Sequence, residues 1–179
     1  MLIVFCWIGL SGEFLMLALG IDPGTAICGY GIVEQSRGKL IAKTFGSITT
    51  SPKARMQDRL LKIYTELTDL IKTWSPEIIG VEKLFFGRNS TTAIPVGQAR
   101  GIVLLCAAQN NLDLLEITPN EVKMSITGYG GADKKQVIYM VTKILNLPEP
   151  PKPDDTADAL AIAIAASYEA NSLVRRNFF

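Results

Sequence analysis

The sequence predicts an α/β protein built on a mixed five-stranded sheet with helices on both faces. Three apolar runs of strand length open the chain, and helices alternating with strands follow, which is the order expected for such a sheet. The length of 179 residues suits one domain with a full core. The formal net charge is only +1, so any contact with nucleic acid would depend on local clusters of Lys and Arg.

The first three strands follow one another directly. Residues 15–22 form a continuous apolar run that ends in turn residues, as in a strand buried on both faces. Residues 28–35 and 39–50 are the next two strands. The Ser-Arg-Gly between them predicts a hairpin turn, which makes this pair antiparallel.

A helix and a fourth strand come next. Between residues 54 and 74, apolar side chains recur every three or four positions with charged residues between them, which predicts an amphipathic helix. Ser75 and Pro76 end it. The recurring apolar positions are Met56, Leu60, Ile63, Leu67, Leu70 and Trp74. Residues 77–86 form the fourth strand, with Glu82 near its end.

The second half of the chain alternates helices with one more strand. A helix rich in small residues covers about 91–110, and the segment LDLLEI is the fifth strand. Pro119 is well placed to begin a helix. Two further helices are predicted at about 133–146 and 155–172. The helix at 91–110 is apolar around most of its circumference, which indicates either a second copy packed against it or complete burial in the monomer.

Several classes of function are excluded by what the composition lacks. The sequence contains no histidine, which removes histidine general bases, Ser/His/Asp triads and His-ligated zinc. Cys6, Cys28 and Cys106 are widely separated, so they indicate neither a zinc knuckle nor a disulfide framework, and they fit a reducing cytoplasm. A hydrolase of this composition would depend on carboxylates and a metal.

The apolar N-terminus resembles a targeting segment at first sight. Residues 1–15 contain no Lys or Arg, and Glu13 interrupts the apolar run, so neither a secretory signal nor a membrane-spanning helix is expected. We interpret residues 1–15 as an extension outside the domain. The domain itself is expected to cover 16–172, followed by a short tail at 173–179.

Acidic residues occur where predicted buried elements begin or end. Asp22 closes the first strand, and Glu82 closes the fourth. Asp155 and Asp158 are three residues apart and therefore share one face of the last helix, at its first turn. Carboxylates brought together repel one another, and a divalent cation relieves that repulsion. A donor set of oxygen alone favours Mg²⁺ or Mn²⁺, and two such ions can hydrolyse a phosphodiester.

Each acid also has an ordinary structural role open to it. Aspartate before Pro-Gly, as at Asp22, is common at the start of a turn. Asp154 and Asp155 at a helix start are favoured by capping and by the helix dipole. Glu82 could form a surface ion pair with its neighbour. The combination of four acids is what favours a metal-dependent nuclease.

Four segments together carry a resemblance to a known family. They are LGIDPGTAICGYGIVE, GVEKLFFGRNSTTAIPVGQARG, ITPNEVKMSITGYGGADKKQV and DDTADALAIAIA. In order and spacing, from Met16 to about Ala166, the chain resembles RuvC, the bacterial Holliday-junction resolvase family. The resemblance implies a ribonuclease-H-like fold, a homodimer, and cleavage of two strands of a four-way DNA junction with two Mg²⁺ ions per site. Mn²⁺ is expected to substitute for Mg²⁺.

The resemblance assigns roles to individual residues. The four catalytic, metal-binding acids of the family match Asp22, Glu82, Asp155 and Asp158, and the adjacent Asp154 is the alternative at the third position. The aromatic residue near the junction point matches Phe85, which would stack on an unpaired base. The DNA-facing lysines match Lys123 and Lys134. Beside them, Arg88 and Lys135 are candidates for phosphate contacts.

Other classes remain alternatives. A ribonuclease-H-like nuclease acting on RNA would share the fold, and a junction-binding protein without activity would share the surface. Actin-like kinases also place an acid and Gly-Thr after a first strand, but they need two such domains, which 179 residues cannot supply. The resemblance further implies work in the cytoplasm, in recombination and repair, beside the RuvA-RuvB branch-migration complex.

Overall fold

The computed structural model describes residues 15–83 and 90–178, which form one mixed sheet with helices on both faces. The strands are β1 (Leu15–Asp22), β2 (Ile27–Ser36), β3 (Lys39–Thr49), β4 (Ile78–Glu82) and β5 (Asp113–Ile117). The helices are α1 (Met56–Trp74), α2 (Ser90–Gln109), α3 (Pro119–Thr127), α4 (Lys134–Ile144) and α5 (Asp154–Phe178). The predicted five-stranded α/β fold is confirmed.

β1 lies at the centre of the sheet, whose strand order is β3-β2-β1-β4-β5. It pairs antiparallel with β2 and parallel with β4, and β4 pairs parallel with β5. In the parallel pair Ile21 lies opposite Val81, so the next residues, Asp22 and Glu82, reach the same edge of the sheet. This topology brings two acids together that are sixty positions apart in the chain.

The apolar run of β1 is explained by a hydrophobic core on each face of the sheet. Ala18 packs in the core formed with α3, α4 and α5, whereas the next residue, Leu19, packs in the core formed with α1 and α2. Both side chains are fully buried. Successive side chains of a strand point to opposite faces, so a strand covered on both faces must be apolar throughout.

α5 lies directly against the sheet because two strand residues have no side chain. A Cβ added at Gly20 would overlap the backbone oxygen of Ala159, and one added at Gly29 would overlap the backbone oxygen of Asp155. Glycine is therefore required at both positions for the helix backbone to approach this closely. This contact places the first turn of α5 beside the end of β1.

Two helices differ in detail from their predictions. The buried positions of α1 are Ile63, Leu67 and Ile71, of which Ile71 was not predicted; the predicted Leu70 and Trp74 are partly buried and pack against the same core. α5 continues to Phe178 rather than ending near residue 172. Among the described residues, no helix combines the length and apolarity needed to cross a membrane.

Candidate active site

The candidate site lies at the edge of the sheet where β1 and β4 end. Asp22 is the last residue of β1 and Glu82 is the last residue of β4. Both side chains are partly buried, since α5 covers this edge of the sheet from one side. The two carboxylates are therefore held at the ends of strands that are paired with neighbours on both sides.

The third element of the site is the N-terminal end of α5. Asp154 and Asp155 are the first two residues of this helix, and Asp158 lies one turn further along. The contact between Gly29 and the backbone of Asp155 fixes the position of this turn. The following positions, from Ala159 to Ala166, are all buried, so Asp158 is the last acid before the helix enters the core.

α3 and α4 contribute basic residues to the same region. α3 begins with a capping box in which Thr118 and Glu121 satisfy each other's backbone N–H groups. α4 begins with an equivalent capping box between Asp133 and Gln136. Such caps hold the first turn of a helix in place, and each helix carries one lysine into the site, Lys123 and Lys134 respectively.

These elements enclose a cleft of about 200 Å³. Its polar lining consists of Asp22, Glu82, Asp158, Lys123 and Lys134. Apolar side chains of the three helices complete the wall, namely Pro119, Val122, Val137, Ala161 and Ile162. Three of the four predicted acids and both predicted family lysines therefore meet in one cavity.

Electrostatics single out Asp22 within the cleft. Burial, followed by repulsion from Asp158, Glu82 and Asp155, raises the pKa of Asp22 from 3.8 to about 7, although Lys134 opposes the change. The pKa of Glu82 is also raised, first by burial and then by Asp158. The mutual repulsion shows that the acids act on one another, and it is the condition that a bound cation relieves.

Lys134 forms the direct ionic contacts in the site. Its Nζ lies 3.1 Å from Asp158 Oδ2 and 3.3 Å from Asp154 Oδ2. Burial acts to lower the pKa of Lys134. Hydrogen bonds and charge interactions with these two acids outweigh that effect and raise the pKa. Burial still raises the pKa of Asp158, against the opposing effect of Lys134. The ammonium group therefore offsets the repulsion among the acids only in part.

The comparison with known proteins decides the family. The family model described as crossover junction endodeoxyribonuclease RuvC matches residues 18–166. The chain belongs to the RuvC family. A crossover junction endodeoxyribonuclease RuvC of Carboxydothermus hydrogenoformans is 52% identical over 159 residues, which cover 89% of this chain and 100% of that protein. Relatives of this kind are phosphodiester hydrolases, as the resemblance implied.

Solved RuvC structures agree with the fold. Thermus thermophilus RuvC matches this RuvC-family chain with a TM-score of 0.80 and 34% identity, covering 88% of this chain and 96% of that one. A second structure, of T. thermophilus RuvC in complex with a Holliday junction substrate, matches with a TM-score of 0.80 and 32% identity over the same shares. The ribonuclease-H-like α/β fold predicted from the resemblance is thereby confirmed.

The donor chemistry of the site fits the metal dependence of RuvC nucleases. Every candidate ligand is a carboxylate, and hard oxygen donors suit Mg²⁺-like cations. Among the described residues, however, no three acids are already arranged closely enough to form a metal-binding group. Lys134 holds Asp158 and Asp154 instead. The acids of the described residues therefore meet at one cleft, but they are not gathered around a single cation position.

The remaining predicted residues of this RuvC-family chain fall into three groups. Phe85 and Arg88 lie outside the described residues. Asp155 is partly buried and close enough to influence Asp22, but it is not part of the cleft lining. Lys135 lines a neighbouring groove rather than the cleft.

Some contributors to the site could not be recognised in the sequence. Gly29 and Gly20 allow α5 to reach the sheet, yet a glycine in a strand can equally mark a bulge or a bend. The contact of Asp154 with Lys134 depends on how α4 packs against α5. The one sequence signal for the glycines was their occurrence inside otherwise apolar strands, a pattern that is also typical of a close backbone approach.

Proposed function

We propose that this chain resolves four-way DNA junctions by hydrolysing one phosphodiester in each of two strands, and that Asp22, Glu82, Asp155 and Asp158 form its catalytic site. The observation that carries the proposal is the cleft itself, in which acids from β1, β4 and α5 meet lysines from α3 and α4. Membership of the RuvC family and the junction-bound structure of a relative support the choice of substrate.

We assign two Mg²⁺ ions to each site, with Mn²⁺ as a substitute. When bound, such a pair supplies an activated water and stabilises the leaving oxygen of the phosphodiester. Asp22, Glu82, Asp155 and Asp158 would hold the two ions. The carboxylate-only donor set and the raised pKa of Asp22 support this assignment, because both reflect a concentration of negative charge.

The lysines of the cleft would act on the DNA backbone. Lys123 and Lys134 face the same cavity as the acids, so each can contact a phosphate near the scissile bond. Lys134 has a second task in the free protein, since its ammonium group neutralises part of the charge on Asp158 and Asp154. We infer that Phe85, Arg88 and Lys135 also contact the DNA of the junction.

A homodimer would supply the two active sites that a two-fold junction requires. The outward face of α2 supports this assembly, since Ile94 and Leu105 are exposed large apolar residues. Between them, Gly97 and Gly101 have open space where a Cβ would lie, so another helix can approach closely. We propose that this face of α2 packs against its copy in a second chain.

The wider setting follows from the same proposal. We infer that the enzyme works in the cytoplasm, in recombination and repair, in association with a RuvA-RuvB branch-migration complex. We also propose that residues 16–172 are the nuclease domain, that 1–15 are dispensable for catalysis, and that 173–179 are a short tail.

A nicking assay tests the proposed function. The protein is incubated with a four-way junction, a linear duplex and an RNA–DNA hybrid, each in Mg²⁺ and in Ca²⁺. Paired cleavage of the junction in Mg²⁺ is expected, with little cleavage of the other two substrates. Preference for the hybrid would favour a ribonuclease instead. Junction binding without cleavage in any metal would indicate a binding protein.

A further inference from the structure

A second groove lies on the other side of α4 from the catalytic cleft. We call it the tyrosine groove; it is lined by Thr127, Tyr129, Lys135, Gln136, Tyr139 and Met140, among others. The ion pairs of the acidic site, between Lys134 and the two acids Asp154 and Asp158, do not involve these side chains. Its surface must therefore be explained separately from the chemistry of the cleft.

The groove exposes two aromatic rings. Tyr129 is 66% exposed and Tyr139 is 60% exposed, which is unusual for such large side chains. The ring of Tyr129 rests against Gly131, where any added Cβ would meet it. The ring of Tyr139 is covered on one side by Lys143, whose Nζ lies 5.5 Å from the ring centroid. Both rings are thus supported from behind and open to a ligand.

The helix face that borders the groove is also basic, since Lys135 lines the groove and Lys143 lies against Tyr139, which lines it as well. Lys135, Tyr139 and Lys143 are four residues apart on α4, so they form one stripe on a single face of the helix. The buried residues Val137 and Val141 occupy the opposite face. The acid of the groove, Asp133, has a carboxylate already engaged by the backbone N–H of Gln136. The stripe consequently presents two ammonium groups around an aromatic ring.

The stripe continues directly from the catalytic cleft. Lys134 lines the cleft and the adjacent Lys135 lines the tyrosine groove, so the two surfaces meet at the first turn of α4. From that turn to Lys143 the helix rises about 13 Å, at about 1.5 Å per residue. This length corresponds to about four base pairs of B-form DNA at about 3.4 Å each.

We propose that the tyrosine groove binds the backbone of the junction arm that leaves the active site, about three to five nucleotides from the scissile phosphate. Lysine ammonium and tyrosine hydroxyl groups are common donors to phosphate oxygens. Charge complementarity and continuity with the cleft favour this polyanion over a protein partner. The proposal rests on the proposed function and extends it to residues that no catalytic role requires.

The test compares two variants that each lose two charges. In Lys135→Gln/Lys143→Gln both changes lie in the stripe. In the control, Lys39→Gln/Lys72→Gln, both exposed lysines lie at the end of the sheet opposite Asp22. Junction affinity is measured in EDTA, where hydrolysis is prevented, across a range of salt concentrations. We expect the stripe variant to bind about tenfold or more weakly at low salt, with a salt slope shallower by about two, whereas the control retains wild-type affinity.

A second measurement locates the contact on the DNA. Methylphosphonates are placed three to five nucleotides from the cleavage position, where they remove the backbone charge. They should weaken binding by the wild type but not by the stripe variant, because the lysines and the phosphates belong to one interaction. Tyr139→Ala should weaken junction binding in the same assay.

The outcomes separate this proposal from the one on which it depends. If the wild type neither binds nor cuts junctions, the proposed function fails. If the wild type does both, and the stripe variant matches the control in affinity and salt slope, the tyrosine groove is not a DNA-binding surface. If the lysine substitutions and the methylphosphonates weaken junction binding additively, the two do not belong to one interaction, and the junction arm does not lie in the tyrosine groove.

Discussion

Replacing Asp22 with Asn should make the metal-free protein more stable while abolishing cleavage. The rise in the pKa of Asp22 from 3.8 to about 7 means that ionising this side chain in the folded protein is unfavourable. A shift of that size corresponds to about 4 kcal/mol at a pH above both values. Because Asp22 is only partly buried, solvent screening reduces this value, and we expect a net gain of about 2 kcal/mol at pH 8.

The stability difference between Asp22→Asn and the wild type should depend on pH in a definite direction. Between about pH 4 and 7 the unfolded chain has released the proton that the folded chain retains on Asp22, so wild-type stability falls as the pH rises through this window. Asparagine does not titrate. The advantage of Asp22→Asn should therefore be small near pH 4, increase through the window and remain level above pH 7.

Chemical unfolding in EDTA at pH 5 and pH 8 measures this advantage. The matched control is Asp113→Asn, the same change at an exposed residue at the opposite end of the sheet. Mg²⁺ should raise the thermal midpoint of the wild type at pH 8 but not that of Asp22→Asn, since a ligand stabilises only the protein that binds it. If Asp22→Asn is less stable than the wild type at pH 8, or more stable than the wild type by the same amount at both pH values, the account of repulsion in the cleft is wrong.

Three further changes test other parts of the structure. Gly20→Ala should lower the free energy of unfolding by about 3 kcal/mol in chemical unfolding, because the new methyl group overlaps the backbone of α5. The control, Gly130→Ala, should change the free energy of unfolding little, because the atoms nearest to its new methyl group would lie 3.9 Å away. Leu105→Glu should shift the protein from dimer to monomer in sedimentation analysis and reduce paired cleavage. Circular dichroism should show that the fold is retained. An unchanged dimer would exclude this face of α2 as the interface. A chain beginning at Met16 should fold and cut junctions at the full rate, and loss of either property would assign residues 1–15 a role.

Much of the fold could be predicted because local patterns were strong. The apolar run that ends at Asp22 marked a strand covered on both faces, and the Ser-Arg-Gly turn marked the hairpin between β2 and β3. The apolar face of α1 was predicted incompletely, because Ile71 is buried in the core although it was not among the predicted positions, while the predicted Leu70 is only partly buried against the same core. Periodicity places a helix face only approximately, and the shape of the opposing surface selects the residues that are buried.

The candidate acids could likewise be named from the sequence, but their arrangement could not. Residue type and position at the ends of predicted elements identified Asp22, Glu82 and Asp158, and a family resemblance added their roles. How closely they approach depends on the parallel pairing of β1 with β4 and on the fit of α5 against two strand glycines. Neither is visible in local sequence, because each joins segments that lie far apart in the chain.

The sequence by itself determined the order of strands and helices, the absence of histidine chemistry and the carboxylates that carry the proposed reaction. Only the tertiary structure decided that three acids share a cleft with Lys123 and Lys134, and that Lys135 faces a different groove. Local patterns reflect short-range preferences and burial. Distances between charges depend on packing among distant elements, and the pKa of Asp22 depends on those distances and on its burial.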